Sequence, residues 1–142
     1  MVTPNKSLGQ HWLHDRAALA AIALEAGIID GETVLEIGPG LGTLTSELLR
    51  QGAKVTAVEY DKDLARKLPG QFPGKNLTVI SQDILDFDLS TLPRGYKVVA
   101  NVPYYITSKI VEKLVRAQNK PSVAVLLVQK EVAERVCARS GR

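Results

Sequence analysis

A single cysteine, Cys137, excludes an intrachain disulfide and a cysteine-built metal cluster in this 142-residue chain. It falls in an apolar helical pattern, where a buried small hydrophobe is the expected role. Long apolar runs are also missing: no uncharged apolar stretch approaches the ~18 residues of a membrane span. The opening residues, MVTPNKSLGQHWL, lack the apolar core of a secretory signal, so the expected compartment is cytoplasmic. Histidine is scarce. His11 and His14 have no cysteine or paired carboxylate near them, and no metal site is expected.

What is present suits one globular domain: 45% of the residues are hydrophobic, enough for a core. Charge is unevenly spread. Residues 1–93 carry 8 Lys/Arg against 12 Asp/Glu, whereas residues 94–142 carry 10 against 3. A basic half suits a polyanionic partner. A scattered, solvated basic face fits the same counts.

Strand and helix patterns alternate without repeats. Strands are predicted at Thr33–Ile37, Lys54–Glu59, Leu77–Ser81, Lys97–Ala100 and Val123–Val128. Helices are predicted over Thr43–Arg50, Lys62–Leu68 (stopped by Pro69-Gly70), Ser108–Ala117 and Lys130–Ala138. Strands this apolar fit a sheet covered on both faces. The expected fold is therefore α/β, a doubly wound, mainly parallel sheet. Ligands of such folds lie beyond the carboxyl ends of the strands. Gly38, Glu59, Asp83 and Asn101 each follow a different strand and should meet at that edge.

Glu36-Ile37-Gly38-Pro39-Gly40-Leu41-Gly42 reads as a strand-to-helix turn open to close ligand approach. The dinucleotide fingerprint would need glycine where Thr43 stands, and no phosphate-gripping Lys-Ser/Thr follows. Glu59, ending the second strand, is placed to accept from both hydroxyls of a ribose. A plain strand-end acid is the alternative. Asp83 is placed to accept from an adenine amine, with Ile84 against the ring. Ribose and adenine acceptors without a phosphate cradle fit S-adenosylmethionine better than a nucleoside triphosphate.

Asn101-Val102-Pro103-Tyr104 offers two acceptors and a stacking face from what reads as one short loop. The Asn101 side-chain oxygen and the Val102 carbonyl can grip the hydrogens of an exocyclic amine. Pro103 fixes the backbone and Tyr104 presents its ring to a base. A turn closing a buried strand is the competing reading. After it, Lys109, Lys113, Arg116 and Lys120 share one helix face, which either meets RNA phosphate or is solvated.

With these residues assembled, the chain resembles the ribosomal RNA adenine N6-dimethyltransferases, the small-subunit branch more than the macrolide-resistance branch. The matching blocks are Lys6–Leu13, Val34–Thr45, Glu59–Asp61, Asp83–Leu85, Asn101–Ser108 and Val128–Arg135. The resemblance implies S-adenosylmethionine-dependent dimethylation of adenine N6 in small-subunit (16S) ribosomal RNA during ribosome biogenesis. The partner is that RNA or the pre-ribosomal small subunit, with no membrane and no metal.

By the same resemblance, His11, Leu13, Gly38, Glu59, Asp83 and Asn101 bind the cofactor. Asn101 and Tyr104 serve catalysis, and Gln10–Leu13 folds over the cofactor. Position 11 is often Asn in the family and is His here. An imidazole still donates or accepts a hydrogen bond.

The family pattern continues past Arg142 with a last strand pair and a small helical domain. Residues 1–142 are thus expected to be an N-terminal part of the methyltransferase domain, with reduced or no activity. A monomer is expected, with the uncovered fifth strand as the place for association. Two other classes remain open at this point. One is a non-catalytic nucleic-acid-binding protein that keeps the methyltransferase fold. The other is a methyltransferase acting on small molecules or protein amides.

Overall fold

In the computed structural model, which describes residues 16–129, five strands lie parallel in the order β3-β2-β1-β4-β5. They are β1 (Thr33–Ile37), β2 (Lys54–Glu59), β3 (Leu77–Ser81), β4 (Lys97–Pro103) and β5 (Val123–Gln129). The helices are α1 (Arg16–Glu25), α2 (Thr43–Arg50), α3 (Lys62–Lys67) and α4 (Tyr104–Arg116). His11, Leu13, Cys137 and the helix expected over Lys130–Ala138 lie outside the described residues.

Period-two alternation divides the strands between two cores. On one face, Leu35, Val98, Ala100 and Val102 pack under Ile110 and Leu114 of α4. On the other, Val34, Val55 and Val99 pack against Leu19 of α1 and Leu44 and Leu48 of α2. Helices thus cover both faces, the doubly wound arrangement expected from the apolar strands. Among the described residues no helix is long and apolar enough to cross a membrane.

The chain winds outward from β1 to β3, then returns to the other side of β1 for β4 and β5. The order reverses between β1 and β4, and ligand crevices open at such a reversal. Among the described strands β5 is an edge, as expected.

Strands β1, β2 and β3 and helix α2 have the expected limits. Helix α3 stops one residue early, and a 3-10 turn over Leu68–Gln71 takes up Pro69 and Gly70. Helix α1 was not expected: RAALAAIALE is apolar on nearly every side, so its helical period is faint. Its buried Leu19 and Ala23 are four apart, on one face.

The larger correction concerns Asn101–Tyr104, which is not a loop. β4 continues to Pro103, because Asn101, Val102 and Pro103 stay in register with Leu127, Val128 and Gln129 of β5. α4 starts at the next residue. Pro103 has φ −61° and ψ 148°, which ends the strand and opens the helix, and at that end its missing N–H breaks little. The Thr107 hydroxyl donates to the Pro103 carbonyl at 3.1 Å and steadies the first turn.

Candidate functional site

Four strand ends and the start of α4 enclose a cavity of about 350 Å³ at the carboxyl edge. Ile37, the last residue of β1, and Gly38, the first of the turn that follows, are part of its lining. Gly38, Gly40 and Gly42 all have positive φ, at 73°, 55° and 91°. At Gly38 a side chain has no room: a Cβ there would stand 2.8 Å from the Asn101 carbonyl oxygen. The backbones on either side of the β1–β4 reversal are therefore almost in contact. Gly42 precedes α2, and a Cβ on it would reach 2.7 Å from Leu68. Helix α2 begins at Thr43, which explains why the motif closes as G-x-G-x-G.

Glu59 is buried at the end of β2 and belongs to two hydrogen bonds. Its Oε1 accepts from the Gly40 N–H at 2.9 Å, and its Oε2 accepts from the Asp61 N–H at 2.8 Å. The carboxylate is held in place while each oxygen keeps a further lone pair. Asp83 follows β3 and opens a 3-10 turn, its Oδ1 accepting from the Leu85 N–H at 2.9 Å. Ile84, next to it, is buried in the α4-side core.

Gly38, Glu59, Asp83 and Asn101 all line this one cavity. Its apolar walls come from Val58, Ile84, Ile106 and Ile110. Tyr104 does not line it. As the first residue of α4 it stands outside, 46% exposed, its ring edge-on to that of Tyr105. Tyr60 and Tyr105, to which sequence reasoning gave no role, do line the cavity. Their adjacency to Glu59 and Tyr104 was the available signal. Among the described residues no group of His, Cys, Asp and Glu could hold a metal ion.

Behind the glycine turn lies Glu36, fully buried and also without an assigned role. A lone acid inside the apolar run TVLEI was its trace in the sequence. Its Oε1 accepts from the Thr45 hydroxyl at 2.5 Å, whereas Oε2 has no partner among the described residues. Burial, aided by the negative charge of Glu59 and opposed by the Thr45 hydrogen bond, raises its pKa from 4.5 to about 8.

The folded state therefore holds this proton more tightly than the unfolded chain does. The resulting stability is complete below pH 4.5 and is lost as pH rises toward about 8. Glu36→Gln keeps a partner for Thr45 and removes the ionisation. Its melting temperature relative to wild type should climb across that window, by about 5 °C or more at the alkaline end. Thermal melts in a pH series check this, and a constant difference would contradict it.

The basic face of α4 is partly engaged. Lys113 Nζ donates to the Leu85 carbonyl at 3.2 Å, and Arg116 pairs with Glu112 at 3.2 Å. Beyond the helix, Lys120 Nζ donates to the Ala117 carbonyl at 2.8 Å. Lys109 lies one turn from Tyr105.

Comparison with known proteins gives a consistent picture. The whole chain, residues 1–142, matches the family described as Ribosomal RNA adenine dimethylase. It is 49% identical to Ribosomal RNA small subunit methyltransferase A of Deinococcus radiodurans, covering 98% of this chain and 47% of that protein. The protein of the same name from Fusobacterium nucleatum is 44% identical, over 96% of this chain and 53% of its own length.

Among solved structures, the 23S rRNA methyltransferase ErmE is 34% identical with a TM-score of 0.73, over 91% of this chain and 52% of its own. A dimethyladenosine transferase from Plasmodium falciparum is also 34% identical, with a TM-score of 0.70, over 85% and 44%. The chain spans about half the length of the curated relatives it matches.

Proposed function

The chain belongs to the ribosomal RNA adenine dimethylase family, and on that basis we propose that its cavity binds S-adenosylmethionine for N6-dimethylation of adenine in small-subunit ribosomal RNA. The observation that carries this reading is the convergence of Gly38, Glu59, Asp83 and Asn101, from four strand ends, on one cavity. The partner is that RNA, free or in the pre-ribosomal small subunit, in the cytoplasm. Residues 1–142 would supply the cofactor half of the catalytic unit.

The residues fit the cofactor. Glu59, fixed by Gly40 and Asp61, has lone pairs left for two ribose hydroxyls. Asp83 has its Oδ2 to accept from the adenine amine while Oδ1 caps the following turn. Ile84 offers an apolar surface beside it. The missing side chain of Gly38 lets the methionine part pass close to β4. His11 and Leu13, which the family resemblance assigns to the cofactor, lie outside the described residues.

When bound, S-adenosylmethionine supplies an electrophilic methyl group and carries its own leaving group. The chain's contribution is to orient the acceptor. Adenine N6 is a poor nucleophile because its lone pair is delocalised into the ring. The Asn101 side-chain oxygen and the Val102 carbonyl accept its hydrogens, localise the lone pair and aim it in line with the methyl. The pairing of Val102 with Val128 makes that backbone rigid. Catalysis then rests on positioning and on hydrogen bonds to the amine. Tyr104, outside the cavity, stacks on the base. Acceptors alone, without a tight donor fork, let the monomethylated amine turn and react again.

Titration with S-adenosylmethionine, followed by methyl-transfer assays on immature small subunits and on naked RNA, tests this. The product expected is N6,N6-dimethyladenosine, and absence of cofactor binding would contradict the reading. On the RNA side, neutralising Lys109, Lys113, Arg116 and Lys120 together should lower the salt slope of RNA binding by about 2–3. An unchanged slope would remove this face from the RNA interface.

A further inference from the structure

Two tyrosines stand side by side at the start of α4, yet they occupy different environments. Tyr105 lines the cavity together with Glu59, Asp83 and Asn101, and Tyr104 does not. Successive helical residues project about 100° apart. The strand-to-helix junction at Pro103 leaves no loop to change that angle. The two rings meet edge to face, with centroids 6.3 Å apart and planes at 83°. One ring cannot take the place of the other without moving the helix start.

Tyr105 is 67% exposed although it borders a cavity. Single exposed aromatics are common on protein surfaces. Here, however, the exposed ring is continuous with apolar walls from Ile106 and Ile110 on the same helix. It is an uncovered part of a recess whose other edge carries three hydrogen-bond acceptors. A ligand with an apolar or cationic portion beside an adenosine head would cover it.

We propose that the two tyrosines divide the labour: Tyr105 is a cofactor-binding residue, its ring forming the α4 wall of the S-adenosylmethionine cavity, and Tyr104 serves only the target base. This rests on the cofactor reading above. Tyr104 meets Tyr105 edge-on and is not among the residues lining the cavity, so removing it leaves the cofactor wall intact. Removing Tyr105 strips that wall while leaving Glu59 and Asp83 untouched.

Isothermal titration of the chain with S-adenosylhomocysteine separates the possibilities. Tyr105→Ala should weaken binding about tenfold, whereas Tyr105→Phe and Tyr104→Ala should stay within about twofold of wild type. Because the residue is so exposed, the variants should melt with wild type, which circular dichroism verifies. If Tyr105→Ala binds as wild type does, the assignment of Tyr105 is overturned and the cofactor reading stands. If Tyr104→Ala weakens binding equally, the division of labour between the two rings is overturned; if Tyr105→Phe does, the claim that the Tyr105 ring forms the wall is overturned. If wild type itself fails to bind, both readings fall.

Discussion

Asn101→Ala is expected to lower kcat for adenine methylation by about 10²–10³-fold in a form of the enzyme competent for transfer. Cofactor affinity should change far less. The asymmetry follows from where Asn101 sits. It ends the run of β4 that passes beside Gly38, and its side-chain oxygen is one of two acceptors assigned to the amine. In the proposed mechanism that acceptor acts chiefly on the reacting amine, so most of the loss falls on the chemical step. Glu59, at the end of β2, and Asp83, just past β3, are the residues proposed to hold the cofactor, and the change leaves both in place. Single-turnover rates with cofactor titrations check both halves. A wild-type rate in the variant would make the amine-gripping mechanism wrong.

Gly38→Ala should be the most damaging conservative change in the site. Two penalties coincide. Its φ of 73° is left-handed, which costs an L-residue about 1–2 kcal/mol. The new Cβ would also lie 2.8 Å from a backbone oxygen, which cannot swing aside as a side-chain tip can. That oxygen belongs to Asn101, so relief must move β1 and β4 apart at the ligand crevice. A total loss of about 2–4 kcal/mol in stability is expected, with cofactor affinity lost as well. Denaturant unfolding and titration with S-adenosylhomocysteine measure the two effects. Gly74, whose φ is the same 73° with open space around it, is the control. Gly74→Ala should show only the backbone strain and should bind cofactor normally.

Sequence periodicity located the sheet well because its strands are short, apolar and bounded by glycine, polar or charged residues. TVLEI and KVTAVE read as buried strands, and the structure gives them the same limits. The four cavity residues were legible for a related reason: each stands at or just past the carboxyl end of a strand, and parallel strands bring those ends to one edge. What local pattern concealed was whatever depends on neighbours in space. Asn and Pro disfavour strands, so β4 seemed to stop at Ala100, whereas pairing with β5 carries it to Pro103. The real junction, strand to helix with no loop, is what separates Tyr104 from Tyr105. Glu36 was visible as an acid in an apolar run, but its complete burial depends on the helices stacked over β1.

The most direct test of the central claim is a residue-resolved binding map. Amide NMR shifts of this chain, recorded as S-adenosylhomocysteine is added, should concentrate at Gly38, Gly40, Tyr60, Asp83, Asn101 and Tyr105. The outward ends of the strands, around Thr33 and Lys97, should remain still. Perturbations centred elsewhere, or none at saturating ligand, would contradict the placement of the cofactor at the carboxyl edge of β1 and β4.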